Sequence, residues 1–314
     1  MKPAHAVAAA GACTAAYVAA LVWADARNQV FQQLPQVLAW MPAMLTLAFA
    51  SYVLRYTRWR WLLGRAGYRT PWGTGFLCYL AGFAFTATPG KVGELVRVRY
   101  FARLGVPAAR TISAFIYERA FDLLSVVLLA ALAIPARPLF ALLLAFVAGM
   151  TGMVALTAAR PGWLLRSAAW LRRQGWPRLA RAGRTLALGL AGCRAWLRPA
   201  DLLASLGLGL AAWGVVALSF AWLLDGLGIA LPWRDAAAIY PTAMLAGAAS
   251  MLPAGIGTTE ATIVALLALH AVPLGLAALA AVGIRVATLW FAVLCGFVAA
   301  AALERAAKPY QIDS

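Results

Sequence analysis

The sequence predicts an all-α polytopic membrane protein, built as an inverted-topology repeat with two re-entrant helical hairpins. Three observations lead to this fold class: a hydropathy too high for a soluble domain, two apolar segments broken at matching positions, and different charge beside the two breaks. The first break reads Phe83-Ala-Phe-Thr-Ala-Thr-Pro-Gly-Lys-Val-Gly-Glu94 and the second break reads Ser250-Met-Leu-Pro-Ala-Gly-Ile-Gly-Thr-Thr-Glu260. Because Pro removes a backbone donor and Gly weakens a helix, we expect a membrane helix to stop at each break and a new one to start.

The composition indicates a lipid environment. Hydrophobic residues make up 64% of the 314 residues and charged residues only 12%, which excludes an ordinary soluble domain. The formal net charge is +17, but the arginines fall in short gaps between apolar runs, as is typical of cytoplasmic loops. We therefore expect membrane lipids as partners and no nucleic acid, and the sequence also allows a homo-oligomer. The four cysteines lack metal-ligand spacing and are interpreted as small apolar residues.

Two apolar runs open the chain, at about 6–24 and 38–56, and each can cross a hydrocarbon core of about 30 Å. Ala24-Asp25-Ala26 could serve as a signal-peptidase site, but we prefer an uncleaved first helix because the repeat requires it. The arginines after the second run are accompanied by no acid, which predicts a cytoplasmic loop: Arg55, Arg58, Arg60, Arg65 and Arg69.

The first broken segment covers about 72–104, and both of its flanks are basic. The positive-inside rule places both flanks in the cytoplasm, so we expect a hairpin that enters, turns at Thr88-Pro89-Gly90 and returns. The alternative is a plain bundle in which each arm spans the membrane, and this would leave one arginine-rich loop outside.

Runs at about 111–134 and 139–158 then cross the membrane twice. The linker that follows, at 159–200, contains nine arginines between Arg160 and Arg198 and no acid, interleaved with tryptophans. This pattern favours short interfacial helices bound to anionic lipid headgroups, and a solvated cytoplasmic loop is the alternative.

The second broken segment, at about 236–269, follows a crossing at about 202–224, and its flanks lack arginine clusters. We therefore expect a hairpin that dips in from the outer face. A last crossing at about 274–303 leads to a tail at 304–314 on the inner side.

These elements form two repeats of opposite orientation, at 1–158 and 139–303, the second of which overlaps the linker. In such repeats a transport site lies near the midplane, between the interrupted helices. We expect a multi-pass protein of the inner membrane with both termini in the cytoplasm.

Ionisable residues inside the apolar segments mark the expected site. At an insertion cost of about 2.5–3.5 kcal/mol each, they need partners or water: Glu94, Glu118, Arg119, Asp122, Glu260 and Arg285. Glu94 precedes Arg119 by 25 residues, and the same spacing separates Glu260 from Arg285. The two halves of the chain therefore carry the same pair of charged residue types at the same spacing.

Glu118 and Asp122 are four residues apart, so they share a helix face and can bracket a basic group. The basic partners available are Lys91, Arg97 and Arg285. These charges either line a transport cavity or form structural ion pairs, and the two roles can coexist.

The new helix starts inside the breaks offer an anion site. Thr88 can cap a helix that has Pro89 at its first position, and Gly255-Ile-Gly257-Thr258 opens the second half-helix. Such ends present free backbone N–H groups to phosphate or carboxylate, and Lys91 is adjacent to one of them.

Three motifs carry a family resemblance: Thr88-Pro-Gly-Lys-Val-Gly-Glu94, Glu118-Arg-Ala-Phe-Asp122 and Pro253-Ala-Gly-Ile-Gly-Thr-Thr-Glu260. Together they resemble the lysylphosphatidylglycerol synthase transmembrane-domain family, also called flippase-like membrane proteins. The resemblance implies two re-entrant hairpins and movement of a lipid between leaflets, with phospholipid, polyprenyl-linked and hopanoid lipids as substrate classes. It also implies that the polar positions Lys91, Glu94, Glu118, Arg119, Asp122 and Glu260 serve this function.

The expected activity is that of a lipid flippase or scramblase, without a cofactor or metal. Because the sequence ends at Ser314 with no aminoacyltransferase domain, we expect that it does not make lysyl-lipid by itself. The alternatives are an accessory or channel protein and, third, a membrane-embedded lipid-modifying enzyme. The substrate-binding residues we predict are Thr88, Pro89, Gly90, Lys91, Gly93, Glu94, Arg97, Glu118, Arg119, Asp122, Pro253, Gly255, Gly257, Thr258, Glu260 and Arg285.

Overall fold

The described part of the chain is helical. A computed structural model describes residues 34–131 and 162–306, together with positions 145, 149 and 152. The helices of the first half are α1 Leu34–Arg65, α2 Trp72–Ala81, α3 Arg97–Arg103 and α4 Ala108–Ala130. Those of the second half are α5 Gly162–Arg173, α6 Pro177–Gly192, α7 Pro199–Gly226, α8 Trp233–Ala249, α9 Thr258–Ala268, α10 Leu274–Arg285 and α11 Phe291–Ala306. The predicted all-α class is confirmed for these residues.

Three stretches among the described residues are long and apolar enough to cross a membrane: α1, α7 and the stretch Leu274–Ala306. The last is continuous because a π-helical turn, Val286–Trp290, joins α10 to α11. At about 1.5 Å per residue, the 32 residues of α1 reach roughly 48 Å, more than the hydrocarbon core requires. The predicted run at 6–24 and, apart from the three isolated positions, the run at 139–158 lie outside the described residues.

Both broken segments are interrupted where the sequence predicts. In the first, α2 continues as a 3₁₀ turn to Phe85, and a new 3₁₀ helix, Pro89–Val96, leads into α3. In the second, α8 ends at Ala249, and a 3₁₀ turn at Pro253–Gly255 precedes α9. The two new helical starts contact each other, because the helix Pro89–Val96 packs against the turn Pro253–Gly255.

One predicted boundary is wrong. We expected a run at 38–56 followed by a cytoplasmic arginine loop, whereas α1 continues as a helix to Arg65. Arg55 and Arg58 therefore lie on a buried helix face, 7% and 0% exposed. The positive-inside rule misplaces them because they pair with a carboxylate of another helix instead of facing water.

The arginine-rich ends of the elements meet at one end of the bundle, which we call the basic end. Arg65, at the end of α1, pairs with Asp201 at the start of α7 at 3.0 Å. Arg103, at the end of α3, pairs with Glu304 near the end of α11 at 3.4 Å. Arg110, at the start of α4, donates to the carbonyl of Gly192, the last residue of α6.

Corresponding elements of the two halves make corresponding contacts. The helices that precede the breaks, α1 and α7, pack against each other along much of their length. The first arm of each broken segment packs against the long helix that follows the other break: α2 on α11 and α8 on α4. Exchanging the two halves therefore leaves this set of contacts unchanged.

Small residues allow the closest of these contacts. Gly296 of α11 lies against the backbone of Phe83 and Ala84, at the start of the first break. Gly255, at a φ of +64°, lies against Gly247 of α8, where a Cβ would come within 2.8 Å of the Gly247 Cα. Such small-residue contacts bring backbones together where no water competes for them.

Gly296→Ala is expected to lower stability, although alanine is the better helix former by up to about 1 kcal/mol. A Cβ at position 296 would collide with the backbone of Phe83 and Ala84, and relieving this collision costs about 1–3 kcal/mol. The apparent melting temperature of the purified protein in one detergent measures the effect. Gly214→Ala is the matched control, because a Cβ there meets no atom within 4 Å. A melting temperature of the Gly296 variant at or above that of the wild type would contradict the close contact.

Candidate functional site

Asp122 of α4 is the centre of a buried charge cluster. Arg55 of α1 donates to Asp122 Oδ2 at 2.7 Å, and Arg58 donates to Oδ1 at 2.5 Å. Arg119, one turn earlier on α4, pairs with Asp122 Oδ2 at 3.0 Å. The cluster exists because α1 and α4 both present one polar strip to each other within otherwise apolar surfaces.

Two further carboxylates complete the cluster. Glu118 pairs with Arg97 at 3.1 Å and accepts a short hydrogen bond from the Tyr79 hydroxyl. Glu94 pairs with Arg97 at 3.0 Å and accepts from Thr86 Oγ1 at 2.8 Å. We call this set the arginine cluster; its members are Arg55, Arg58, Arg97, Arg119, Glu94, Glu118 and Asp122.

Arg97 is held by aromatic rings as well as by carboxylates. Its guanidinium carbon lies 4.0 Å from the ring centroid of Tyr79, 5.2 Å from that of Phe83 and 5.3 Å from that of Trp59. Its Nε donates to the carbonyl of Tyr79 at 3.0 Å. The side chain is 1% exposed, so Arg97 fastens the two arms of the first broken segment together.

Glu118 and Asp122 bracket a basic group from a neighbouring helix, as the sequence predicts, but the group is Arg58. Arg58 lies 3.7 Å from Glu118 and 2.5 Å from Asp122. Of the three partners we expected, Arg97 binds Glu118, whereas Arg285 binds a different carboxylate. One sequence feature could have identified Arg58. It lies three residues after Arg55, so the two arginines share a face of α1, and this face also carries aromatic residues.

The second break holds its own ion pair. Arg285 donates from Nε to Glu260 Oε1 at 2.7 Å and from Nη2 to the carbonyl of Ala254 at 2.8 Å. Glu260 Oε2 accepts from the backbone N–H of Gly257 at 2.7 Å and so caps α9. The carboxylate and guanidinium at the 25-residue spacing thus face each other in both halves, since Arg119 also lies 3.8 Å from Glu94.

Thr88 precedes its helix as predicted, but it does not cap the first turn. Its hydroxyl donates to the carbonyl of Phe85 at 3.0 Å and accepts from the N–H of Gly93 at 2.7 Å. Gly93 is required here, because a Cβ would come within 2.8 Å of the Thr88 hydroxyl oxygen. Thr88 therefore ties the two sides of the first break together.

Two cavities lie between the breaks and share a wall formed by Lys91, Trp213, Met244 and Ala254. The central cavity has a volume of about 70 Å³ and is lined on its polar side by Arg55, Glu94 and Arg285. The side cavity is larger, about 260 Å³, and lies between α4 and α8. Lys91 adopts a left-handed backbone conformation, with a φ of +56°, and its Nζ lies 5.9 Å from the ring centroid of Trp213.

The side cavity is polar at one end and apolar at the other. Arg119 and Asp122 of the arginine cluster form the polar end, together with Lys91 and Thr259. The apolar end is lined by Leu123, Val126, Leu245, Met251 and Leu252. Met251 and Leu252 are 65% and 47% exposed, so this end of the cavity opens at the surface of the bundle.

Three residues in this region have buried donors with no hydrogen-bond partner within the described part of the chain: Nε and Nη2 of Arg119, Nε1 of Trp213 and Oγ1 of Thr259. All three residues line the side cavity. An unpaired buried donor is costly, so a ligand with acceptor atoms would be stabilised here.

The structure brings together most of the predicted site residues. Thr88, Lys91, Arg119, Asp122 and Gly255 line the side cavity, and Lys91, Glu94 and Arg285 line the central one. Arg97 and Glu118 are buried in the cluster, Glu260 is paired with Arg285, and Gly257 and Thr258 start α9. Sequence reasoning missed Arg55, Arg58, Trp213 and Thr259 as site residues. Trp213 carries no local signal in its apolar helix, whereas Thr259 lies inside the motif Pro253–Glu260, between two residues that were predicted.

Comparison with known families identifies the chain's relatives. The family described as lysylphosphatidylglycerol synthase TM region matches residues 6–296. This match confirms the resemblance predicted from the three motifs. No curated protein and no solved structure gives a significant match.

Asp122→Asn is expected to destabilise the protein by about 3–5 kcal/mol or to prevent its accumulation in the membrane. The change leaves three arginines beside a neutral side chain inside the bundle. The yield of monodisperse protein and its melting temperature in detergent measure the loss. Asp225→Asn is the control, because Asp225 is an exposed residue at the end of α7. Equal stability of the two variants would mean that Asp122 does not hold the cluster together.

Proposed function

We propose that this chain, which belongs to the lysylphosphatidylglycerol synthase transmembrane family, moves an anionic lipid between the two leaflets of the membrane. The observation that carries the proposal is the side cavity, where a cluster with excess positive charge meets an apolar wall open to the bundle surface. An amphiphile with an anionic headgroup fits this combination of surfaces.

The charge balance favours a phosphate as the headgroup anion. The arginine cluster places four guanidinium groups against three carboxylates, and Lys91 adds a further positive charge at the cavity wall. Arg119 is the cluster arginine nearest to the cavity, with a side chain 21% exposed against 1% for Arg58. A phosphate monoester or diester would balance this excess and accept hydrogen bonds from Arg119, Trp213 and Thr259.

The apolar end of the side cavity suits acyl or prenyl chains. Leu123 and Val126 of α4 line the same cavity as Met251 and Leu252 of the second break, and the last two are exposed. A lipid could place its headgroup at Arg119 while its tails stay in the hydrocarbon core, which avoids the cost of exposing them to water. Phospholipids, polyprenyl-linked and hopanoid lipids are the substrate classes of this proposal.

Both broken segments are proposed to be re-entrant hairpins of an inverted-topology repeat. The mirrored contacts of the two halves and the contact between Pro89–Val96 and Pro253–Gly255 support this arrangement. The proposed transport movement is an exchange of access to the site from one leaflet to the other by opposed shifts of the two hairpins. The basic end is proposed to be cytoplasmic, with both termini on that side of an inner membrane.

A transporter is favoured over a lipid-modifying enzyme by the pairing of the carboxylates. Glu94, Glu118 and Asp122 are each bound by at least one arginine, so their oxygen atoms are already occupied by partners within the protein. A general acid or base needs a carboxyl group that can exchange a proton with the substrate. We therefore propose that these groups position a ligand and that the chain performs no covalent chemistry.

Lys91→Gln is expected to slow lipid movement at least about tenfold without loss of folded protein, because Lys91 lines both cavities. The measurement uses proteoliposomes that contain NBD-labelled phosphatidylglycerol, with dithionite as the reagent that bleaches only the outer leaflet. Lys91→Arg keeps the charge and is expected to retain most of the rate.

NBD-labelled phosphatidylcholine tests the preference for an anionic lipid in the same vesicles. Wild-type protein that moves neither lipid, or both at one rate, would refute the proposed selectivity. A Lys91→Gln variant with the wild-type rate would remove Lys91 from the site.

The proposed orientation predicts the result of treating intact cells with a membrane-impermeant maleimide. The reagent should label His270→Cys and should not label Arg103→Cys. Arg103 lies at the basic end, and His270 is exposed in the loop between α9 and α10. Both substitutions belong in a cysteine-free background, and cell lysis provides the control that Arg103→Cys is reactive. Labelling of position 103 from outside would exclude the two-hairpin arrangement.

A further inference from the structure

The basic pair of helices α5 and α6 takes no part in the proposed lipid path. The two helices pack against each other, and Ala168 of α5 is buried at their contact. The Ala168 Cβ lies 3.5 Å from the position that a Cβ on Gly183 of α6 would take. The opposite side of α5 is therefore the side that faces away from its partner helix.

That outward side carries alternating tryptophan and arginine residues: Trp163, Arg166, Trp170 and Arg173. At about 100° per residue these four positions fall within roughly 80° of the helix circumference, opposite Ala168. Trp163 and Trp170 are 48% and 59% exposed, and both arginines are exposed as well. We call these four residues the tryptophan–arginine strip.

The strip is attached to the bundle where the spanning helices end. Trp196, which is fully buried after α6, donates from Nε1 to the carbonyl of Leu62 in α1 at 2.7 Å. The membrane-spanning helix α7 begins three residues later, at Pro199. The α5–α6 pair is thus tethered at the basic end, at the level where α1 ends and α7 begins.

We propose that the tryptophan–arginine strip binds anionic phospholipid headgroups at the surface of the same membrane. Residues 162–200 contain no Asp or Glu, so nothing in this stretch opposes an anionic surface. Indole rings favour the interface between headgroups and acyl chains, and guanidinium groups bind phosphate through two parallel hydrogen bonds. Large exposed tryptophans beside arginines are costly in water but suited to this layer.

The strip acts as an anchor for the linker between the two halves of the protein. Arg166 donates from Nε to the carbonyl of Gly162 at 3.2 Å, which keeps its side chain against the helix beside Trp163. An anchored α5–α6 pair would fix the start of α4, which α6 contacts, and the start of α7, to which it is joined, at one depth in the membrane.

The test is amide hydrogen exchange of the full-length protein in nanodiscs made of phosphatidylcholine with or without phosphatidylglycerol. We expect peptides from 162–173 to exchange roughly threefold or more slowly when phosphatidylglycerol is present. Arg166→Gln with Arg173→Gln should abolish this difference, and Arg166→Lys with Arg173→Lys should retain it.

The matched control is Arg234→Gln. Arg234 also lies beside an exposed tryptophan, 5.9 Å from the ring centroid of Trp233, but at the opposite end of the bundle. Its loss should leave the lipid effect on 162–173 intact.

Equal exchange in both lipid compositions would overturn the proposal, as would a difference that survives the double glutamine variant. Equal and strong protection in both lipids would instead indicate that protein covers the strip. None of these results depends on whether the side cavity transports lipid, so the two proposals stand or fall separately.

Discussion

The arginine cluster holds three buried arginines and a fourth, Arg119, that is 21% exposed, and neutralising their charge governs how the helices of this membrane protein pack. Each charged side chain costs about 2.5–3.5 kcal/mol to place at the centre of a membrane helix, so the arginines are stable only with carboxylates in contact. Two of the three carboxylates lie on α4 and the third lies in the first break. The pairs therefore join α1, α4 and the first broken segment into one unit.

The same charged groups satisfy the backbone at the breaks. A helix that stops inside the apolar layer leaves carbonyl and N–H groups without partners, and water is scarce there. Arg97 binds the carbonyl of Tyr79, Arg285 binds that of Ala254, and Glu260 accepts from the N–H of Gly257. Each break is thus possible because a charged side chain is held beside it.

Stability and the proposed transport share one set of residues. The ion pairs within the cluster leave an excess of positive charge. Arg119, whose side chain is the most exposed of the four arginines, lines the side cavity. Structural pairing and ligand binding, which the sequence left as two interpretations, are therefore compatible. A cluster that is held rigid by its own ion pairs presents the remaining charge without reorganisation when a headgroup arrives.

The helical class, the membrane environment, the positions of both breaks and the family could all be predicted from the amino-acid sequence, because they follow from local composition and short motifs. The sequence also identified Glu118 and Asp122 as a pair around a basic group. That this group is Arg58, and that Trp213 and Thr259 line the cavity, became visible only when the helices were packed together. Arg58 and Asp122 are 64 residues apart in the chain, and the charge pattern alone does not distinguish a buried arginine from an exposed one. The packing of α1 on α4 makes the difference, because it removes water from one arginine and supplies a carboxylate in its place.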